Sequence, residues 1–485
     1  MLLRRIRPLV IACRHAGARR CSAPSSSTNS PSSASASSVI TQVCSYHSRD
    51  KEMMAPEASP VFRLSDYDCV GFDLDNTLLR YNIANMVKLE YEILAQYLVE
   101  EKGYDRTHLT RPLDLDFLQK GLTLDYENGN VLQLCPDGSI HRASHGTKLL
   151  TDAEIEDLYG KEKYSQLTQE YTQNMLDAWN GPISEKIRSV MDHFDVPVAL
   201  AFARCVDNID ANAEKETGSS RKYNLYQDLT DALINMFQRD NFANNSGGFF
   251  PALKKNPELY MHKASDNVRK WLKDLRKQKK VFLVTGSHVD FASFTTQYSF
   301  GEDVKDLFDI AVTFARKPGF FTARRPFVSL DNGKEKCLVQ PEDIQLGNIY
   351  SQGNWQDLYE LFKKETGKKH PKCLYVGDNV IQDVFAPDEY TRCHTVAVSE
   401  EMRSEGVGSD KTYTDVLASN TWGSYFTQKG KKPSLWCDLI QRHAAICVPS
   451  VDVLAEKPID FLYQTFKCAS PEQSQPVGFF PSAPK

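Results

Sequence analysis

The segment DCVGFDLDNTLLRY at 68–81 constrains this chain more than any other, because an apolar run ends there in two acids, Asp73 and Asp75. An apolar run bounded by turn residues reads as a buried strand of a parallel sheet, whose carboxyl end opens on a crevice. Asn76 and Thr77 are turn and cap residues, and they lead into a helical pattern beyond Tyr81. A carboxylate at such a strand mouth can attack phosphorus. A second one two residues on can protonate the leaving oxygen and later deprotonate the water that clears the intermediate.

Three further pieces follow in the order this chemistry needs, each after a short apolar run. VFLVTGS ends in Thr285 and Ser287, whose hydroxyls could hold phosphate oxygens, and it follows a helix with Val268, Trp271, Leu272 and Leu275 on one face. DIAVTFARKPGFF sets Lys317 just past a strand, where an ammonium could neutralise phosphoryl oxygens and the attacking acid. CLYVGDNVIQD gives Asp378 and Asp383, a spacing suited to an oxygen-ligated Mg²⁺. Singly, each has a plainer reading: a strand-end cap, a surface lysine, a chance Gly-Asp pair.

Together, this ordered set resembles the four motifs of the haloacid dehalogenase superfamily. GFDLDNTL, LVTGS, ARKPGFF, GNIYSQGNW and YVGDNVIQD are similar to the cytosolic purine 5′-nucleotidase group, and GLTLDYENGN with RASHGTK resembles one particular branch of it, over roughly residues 60–465. The resemblance implies Asp73 as nucleophile and Asp75 as general acid and base. It also implies Thr285, with Ser287 beside it, and Lys317 as phosphate-binding residues. Mg²⁺ would be held by the Asp73 side chain, the Asp75 carbonyl and Asp378, with Asp383 behind them or bound through water. The implied fold is α/β, a doubly wound, Rossmann-like parallel sheet carrying a large inserted cap domain. The implied activity is Mg²⁺-dependent hydrolysis of nucleoside 5′-monophosphates. Two alternatives stay open: a catalytically weak nucleotide-binding or regulatory protein on the same fold, and a nucleoside phosphotransferase.

The organisation follows from spacing. Some two hundred residues separate the first strand, at about 67–74, from the strand at 280–285, far too many for a crossover helix. The expected division is a core of 60–84 plus 265–400 around a cap of 85–264, then a C-terminal extension over 401–467. In the cap, a helix is expected from Asn82 to about Lys102 with Leu89, Ile93, Leu94 and Tyr97 in a stripe. A hairpin is expected around CPDG, and a second helix with Thr151 and Glu154 as capping box and Ile155, Leu158 and Tyr159 on one face. The polar stretch 202–223 offers Arg204, Asp207, Asp210 and Lys215 as substrate contacts, a solvated loop being the plainer reading. Phe291 is either a base-stacking ring or core, and His141 and His145 read as structural or substrate-lining. HTVAVS at 394–399 would complete a five-stranded parallel sheet.

Residues 1–49 carry seven Arg and no Lys, Asp or Glu, followed by a Ser-rich run. Residues 1–53 therefore read as a mitochondrial transit peptide, a disordered leader or cytoplasmic start at Met53 or Met54 being the alternative. Residues 468–485, rich in Pro and Ser, are expected to be disordered. Without those seven Arg the body has 51 basic and 63 acidic residues, about −12, which argues against nucleic-acid polymers as partners. The partner left is a small nucleotide, and self-association into a homo-oligomer stays open. The twelve scattered Cys form no CxxC pair, and no apolar run nears the roughly 20 residues of a membrane span.

Overall fold

Seven neighbouring strands of a nine-stranded sheet are parallel, and Cys69–Phe72 is the middle one of the seven. In the computed structural model, which describes residues 60–213, 223–406, 415–428 and 432–467, the sheet runs through Ile349–Gln352, Ile310–Thr313, Lys280–Val284, Cys69–Phe72, Cys373–Gly377, Cys393–Val398 and Ile446–Val448. An antiparallel hairpin, Phe327–Asp331 with Lys334–Val339, closes the edge beside Ile349–Gln352. The leader, Lys215 and the tail beyond 467 lie outside the described residues.

The strands are continuously apolar because both faces are covered. Phe72, Leu283 and Val376 face one layer, which includes Trp271, Leu272 and Leu275 of the helix Asp266–Gln278. Phe282 and Tyr375 face the other, with Trp355, Leu358 and Phe362 of the helix Trp355–Thr366. Both helices start on a side-chain cap. Ser265 accepts from Val268 N and Asn354 from Asp357 N, each worth about 1 kcal/mol.

Sequential strands step outward on one side of Cys69–Phe72 and then on the other, so the winding reverses between it and Cys373–Gly377. That reversal opens a crevice beyond the carboxyl ends of these two strands.

The interval from Ile83 to Tyr260 is an insertion, built on a five-stranded antiparallel sheet and flanking helices. Its first helix, Ile83–Glu100, is capped by Asn82. The hairpin forms between Asn130–Leu134 and Ile140–His145, and the Thr151–Glu154 capping box is present. Ile155 and Tyr159 are buried but Leu158 is not, since this two-turn helix buries too narrow a stripe to cover it.

Among the described residues the sheet has seven parallel strands where the sequence suggested five, and residues 415–428 and 432–467 are part of the body. Ile446–Val448 pairs with Cys393–Val398, and the indoles of Trp422 and Trp436 donate to Phe117 O (2.8 Å) and Gly121 O (2.9 Å) of the insertion. Three- and four-residue strands carry too little periodicity to be read from sequence. Ile446–Val448 also sits directly behind the helix Leu435–His443, whose apolar pattern runs into it.

Candidate active site

Asp73 follows the central strand directly, and its backbone N–H still bonds to Val376 O (2.9 Å), so the carboxylate emerges level with the end of the neighbouring strand. The chain then turns tightly: Leu78 and Leu79 both donate to Leu74 O, and Asn76 takes a left-handed φ of 56°, a conformation Asn tolerates better than most residues. The turn carries Asp75 past the strand end. There its carboxylate accepts from Ser287 Oγ (2.5 Å) and Tyr81 OH (2.6 Å).

Lys317 reaches the same space from beyond Ile310–Thr313. Its ammonium lies 2.8 Å from Asp73 Oδ1 and 2.6 Å from Asp383 Oδ1, and it also donates to Tyr375 OH (3.3 Å). The loop that presents it is tied to the loop of Thr285 and Ser287, because Phe314 N donates to Ser287 O and Ala315 N to Thr285 O. Phe314 and Arg316 hold left-handed φ values of 45° and 55°, backbone strain of the kind that collects at functional loops. Thr285 Oγ1 accepts from Ser287 N (3.1 Å), leaving its O–H to donate elsewhere.

Asp378 ends the strand Cys373–Gly377, and a π-helical turn, Val380–Phe385, swings Asp383 back beneath it. Gly377 is required here: a Cβ on it would stand 2.4 Å from the Asp383 Cβ. Asp383 is also held by Asn379 N (3.2 Å). Thr77 Oγ1 approaches Asp378 Oδ1 at 3.4 Å, whereas Asp378 Oδ2 is buried and accepts no hydrogen bond.

Oxygens of Asp73, Asp378 and Asp383 lie within 4.8 Å of one another, and all three residues are buried. Burial pushes the Asp73 carboxyl up to about 8 against the pull of Lys317, and burial likewise raises Asp378 and Asp383. Burial would lower the Lys317 ammonium, but Asp383 and Asp73 hold it well above its usual value. Asp75 is raised by burial, against the donors Ser287 and Tyr81. Clustered carboxylates that resist ionising alone, with one oxygen lacking a donor, fit a hard divalent cation.

The strand-end residues expected from sequence therefore converge, while Arg204, Asp207 and Asp210 of the insertion bond elsewhere and Lys215 lies outside the described residues. Arg204 is buried and spends its Nη atoms on Tyr91 OH (2.7 Å) and on the carbonyls of Leu109, Arg111 and Pro112. Asp207 accepts from Thr147 N (3.0 Å) and Thr147 Oγ1 (2.7 Å); Gly146, with φ 51°, has Asp207 Oδ1 where a Cβ would be. Asp210 binds His145 (2.9 Å) and Tyr223 (2.9 Å). These bonds lie within the insertion. Phe291 packs edge-on against Phe242 and Phe250, so its ring is core. Ser287, read as a phosphate ligand, has its hydroxyl on Asp75.

Sequence reading missed Tyr81, Asp192, His193, Lys120 and Glu401. Asn76 Nδ2 donates to Asp192 Oδ1 (3.0 Å), and Lys120 Nζ stands 3.9 Å from Asp378 Oδ2 and 3.3 Å from Glu401 Oε1. Tyr81 belongs to the first motif's flank and was open to notice. The others reach the site across long sequence separations and carry no local signal.

A conserved-domain profile described as the 5′ nucleotidase family matches residues 59–418. The chain is 36% identical over 455 residues to 5′-nucleotidase domain-containing protein 1 of Homo sapiens, covering 87% of this chain and 96% of that protein. It is 35% identical over 452 residues to the Bos taurus protein of that name, with the same coverage. To 5′-nucleotidase domain-containing protein 2 of Rattus norvegicus it is 28% identical over 330 residues, 66% of this chain and 54% of that one. The chain belongs to the 5′ nucleotidase family.

Proposed function

We propose that this protein is a 5′-nucleotidase, a Mg²⁺-dependent phosphatase that hydrolyses nucleoside 5′-monophosphates through a phosphoaspartate on Asp73. The observation that carries the reading is the meeting of Asp73, Lys317, Asp378 and Asp383 in one buried space, with Asp75 held beside them by Ser287 and Tyr81.

In this reading an Asp73 oxygen attacks phosphorus in line, and the bond from phosphorus to the nucleoside oxygen breaks as Asp75 gives that oxygen a proton. Water then attacks the acyl phosphate, Asp75 takes its proton, and inorganic phosphate leaves with Asp73 restored. Lys317 neutralises charge on Asp73 and on the transferring group, and Thr285 donates to a phosphoryl oxygen. Asp73, the Asp75 carbonyl and Asp378 would hold Mg²⁺, with Asp383 behind them, and the ion when bound would neutralise phosphoryl charge and favour the ionised Asp73 that burial opposes. The insertion serves as a cap excluding bulk water, so small phosphomonoesters are preferred over phosphoproteins. A purine preference rests on the resemblance alone.

The test is phosphate release by the purified protein across nucleoside monophosphates and sugar phosphates, with Mg²⁺ or with EDTA. Mg²⁺-dependent release that favours nucleotides supports the reading. No release by a folded, Mg²⁺-binding protein would overturn it in favour of a binding or regulatory role. Transfer to an added nucleoside would point to a phosphotransferase. The Arg-rich leader makes a mitochondrial destination part of the proposal. Failure of the full chain to enter isolated mitochondria would remove that part.

A further inference from the structure

Two buried lysines approach the carboxylate cluster, and they are held differently. Lys317 makes close ion pairs of 2.8 and 2.6 Å with Asp73 and Asp383. Lys120, carried by the insertion just before the strand Thr123–Asp125, stands back at 3.9 Å from Asp378 Oδ2. Its ammonium is as buried as that of Lys317, with 1% of its side chain exposed against 3%. Opposite charges this close attract strongly inside a protein, so an unrestrained Lys120 would close on Asp378.

What holds it back is Glu401. Its Oε1 is the nearer anion, 3.3 Å from Lys120 Nζ, and also lies 3.3 Å from His193 Nε2. Its Oε2 accepts from Ser399 Oγ (2.5 Å), just past the strand Cys393–Val398. The carboxylate is thus fixed to the sheet on one side and draws the insertion's lysine on the other. Asp378 Oδ2 is left buried and without a hydrogen-bond donor.

We propose that Glu401 is a positioning residue: by holding the Lys120 ammonium off Asp378, it keeps Asp378 Oδ2 open to a divalent cation. This rests on the reading of Asp378 as a cation ligand. It makes a residue beyond the four strand-end motifs a determinant of metal affinity. It also couples cation binding to the seating of the insertion, because Lys120 and His193 come from that part of the chain.

The test is a titration of the full-length protein with Mn²⁺, free ion being read by electron paramagnetic resonance, so turnover is not involved. Glu401→Gln frees the lysine to pair with Asp378 and should weaken Mn²⁺ binding about tenfold, the scale seen when partners of metal ligands are removed. Glu401→Asp keeps the charge and should bind within about threefold of the wild type. Lys120→Met should bind at least as tightly as the wild type. In the double variant Lys120→Met/Glu401→Gln, the loss should shrink to within about twofold, because the competing ammonium is gone. Wild-type affinity in Glu401→Gln would overturn the proposal, as would a tenfold loss that persists without Lys120. Undiminished Mn²⁺ binding by Asp378→Asn would instead overturn the cation-ligand reading on which it stands.

Discussion

At the strand ends, Asp73, Asp378, Asp383 and Lys317 share a buried space in which Asp378 Oδ2 has no donor and Asp73 is driven up to about 8. In the insertion, Arg204 spends both Nη atoms on Tyr91 OH and three carbonyls, its Nε alone going without a partner, and the half-buried Asp207 and Asp210 close on Thr147, His145 and Tyr223. A buried polar cluster that satisfies itself stabilises the fold, whereas one left incomplete carries a cost that a ligand can relieve. Polarity in the sequence is shared by both regions; burial of several like charges together separates them.

Substitutions can break this contrast. Asp73→Asn should lower turnover at least about a thousandfold with little effect on folding, checked by single-turnover phosphate release and thermal melting. Activity above a tenth of wild type would remove the nucleophile from the account. Lys317→Met should cost about a hundredfold or more in kcat, as the transferring group and Asp73 lose their counter-charge. It should also destabilise the protein by about 3 kcal/mol, because two buried carboxylates lose their partner. Arg204→Ala should act in the opposite way. Denaturant unfolding should show a loss of about 3 kcal/mol, since several carbonyls lose a charged donor, while kcat and KM stay within about twofold. A fall in kcat/KM with unchanged stability would make Arg204 a substrate contact after all.

The smallest effect concerns a carboxyl of the insertion that departs from the pattern. Burial, and then Asp192, raise Asp195 to about 7, against Arg188. Because the folded value exceeds the unfolded one, this group's contribution is full below about pH 4 and is lost as pH rises through about 7. Melting temperature followed between pH 5 and 8 should therefore decline less steeply in Asp195→Asn than in wild type.

The core site was legible because Asp73, Thr285 and Asp378 each follow an apolar run directly and Lys317 lies just past one, and because the four pieces come in one order. Their order along the chain then brings them to one crevice. What stayed hidden depends on tertiary placement. Ile349–Gln352 and Ile446–Val448 are too short to show a period, and the second merges into a helical stretch. Lys120 and Glu401 meet across 281 positions, and nothing near either one announces it. Arg204 and Phe291 illustrate the converse. Charge or aromaticity in a promising stretch is equally what a buried arginine hub or an aromatic core requires.

The central claim is that Asp73 becomes covalently phosphorylated, and the most direct measurement is to trap that species. The protein should be quenched in acid during turnover of a nucleoside monophosphate labelled in its phosphate, digested, and the labelled peptide located. The account predicts a hydroxylamine-sensitive label on the peptide containing Asp73, absent in Asp73→Asn. Label on any other residue, or full phosphate release by Asp73→Asn, would contradict it.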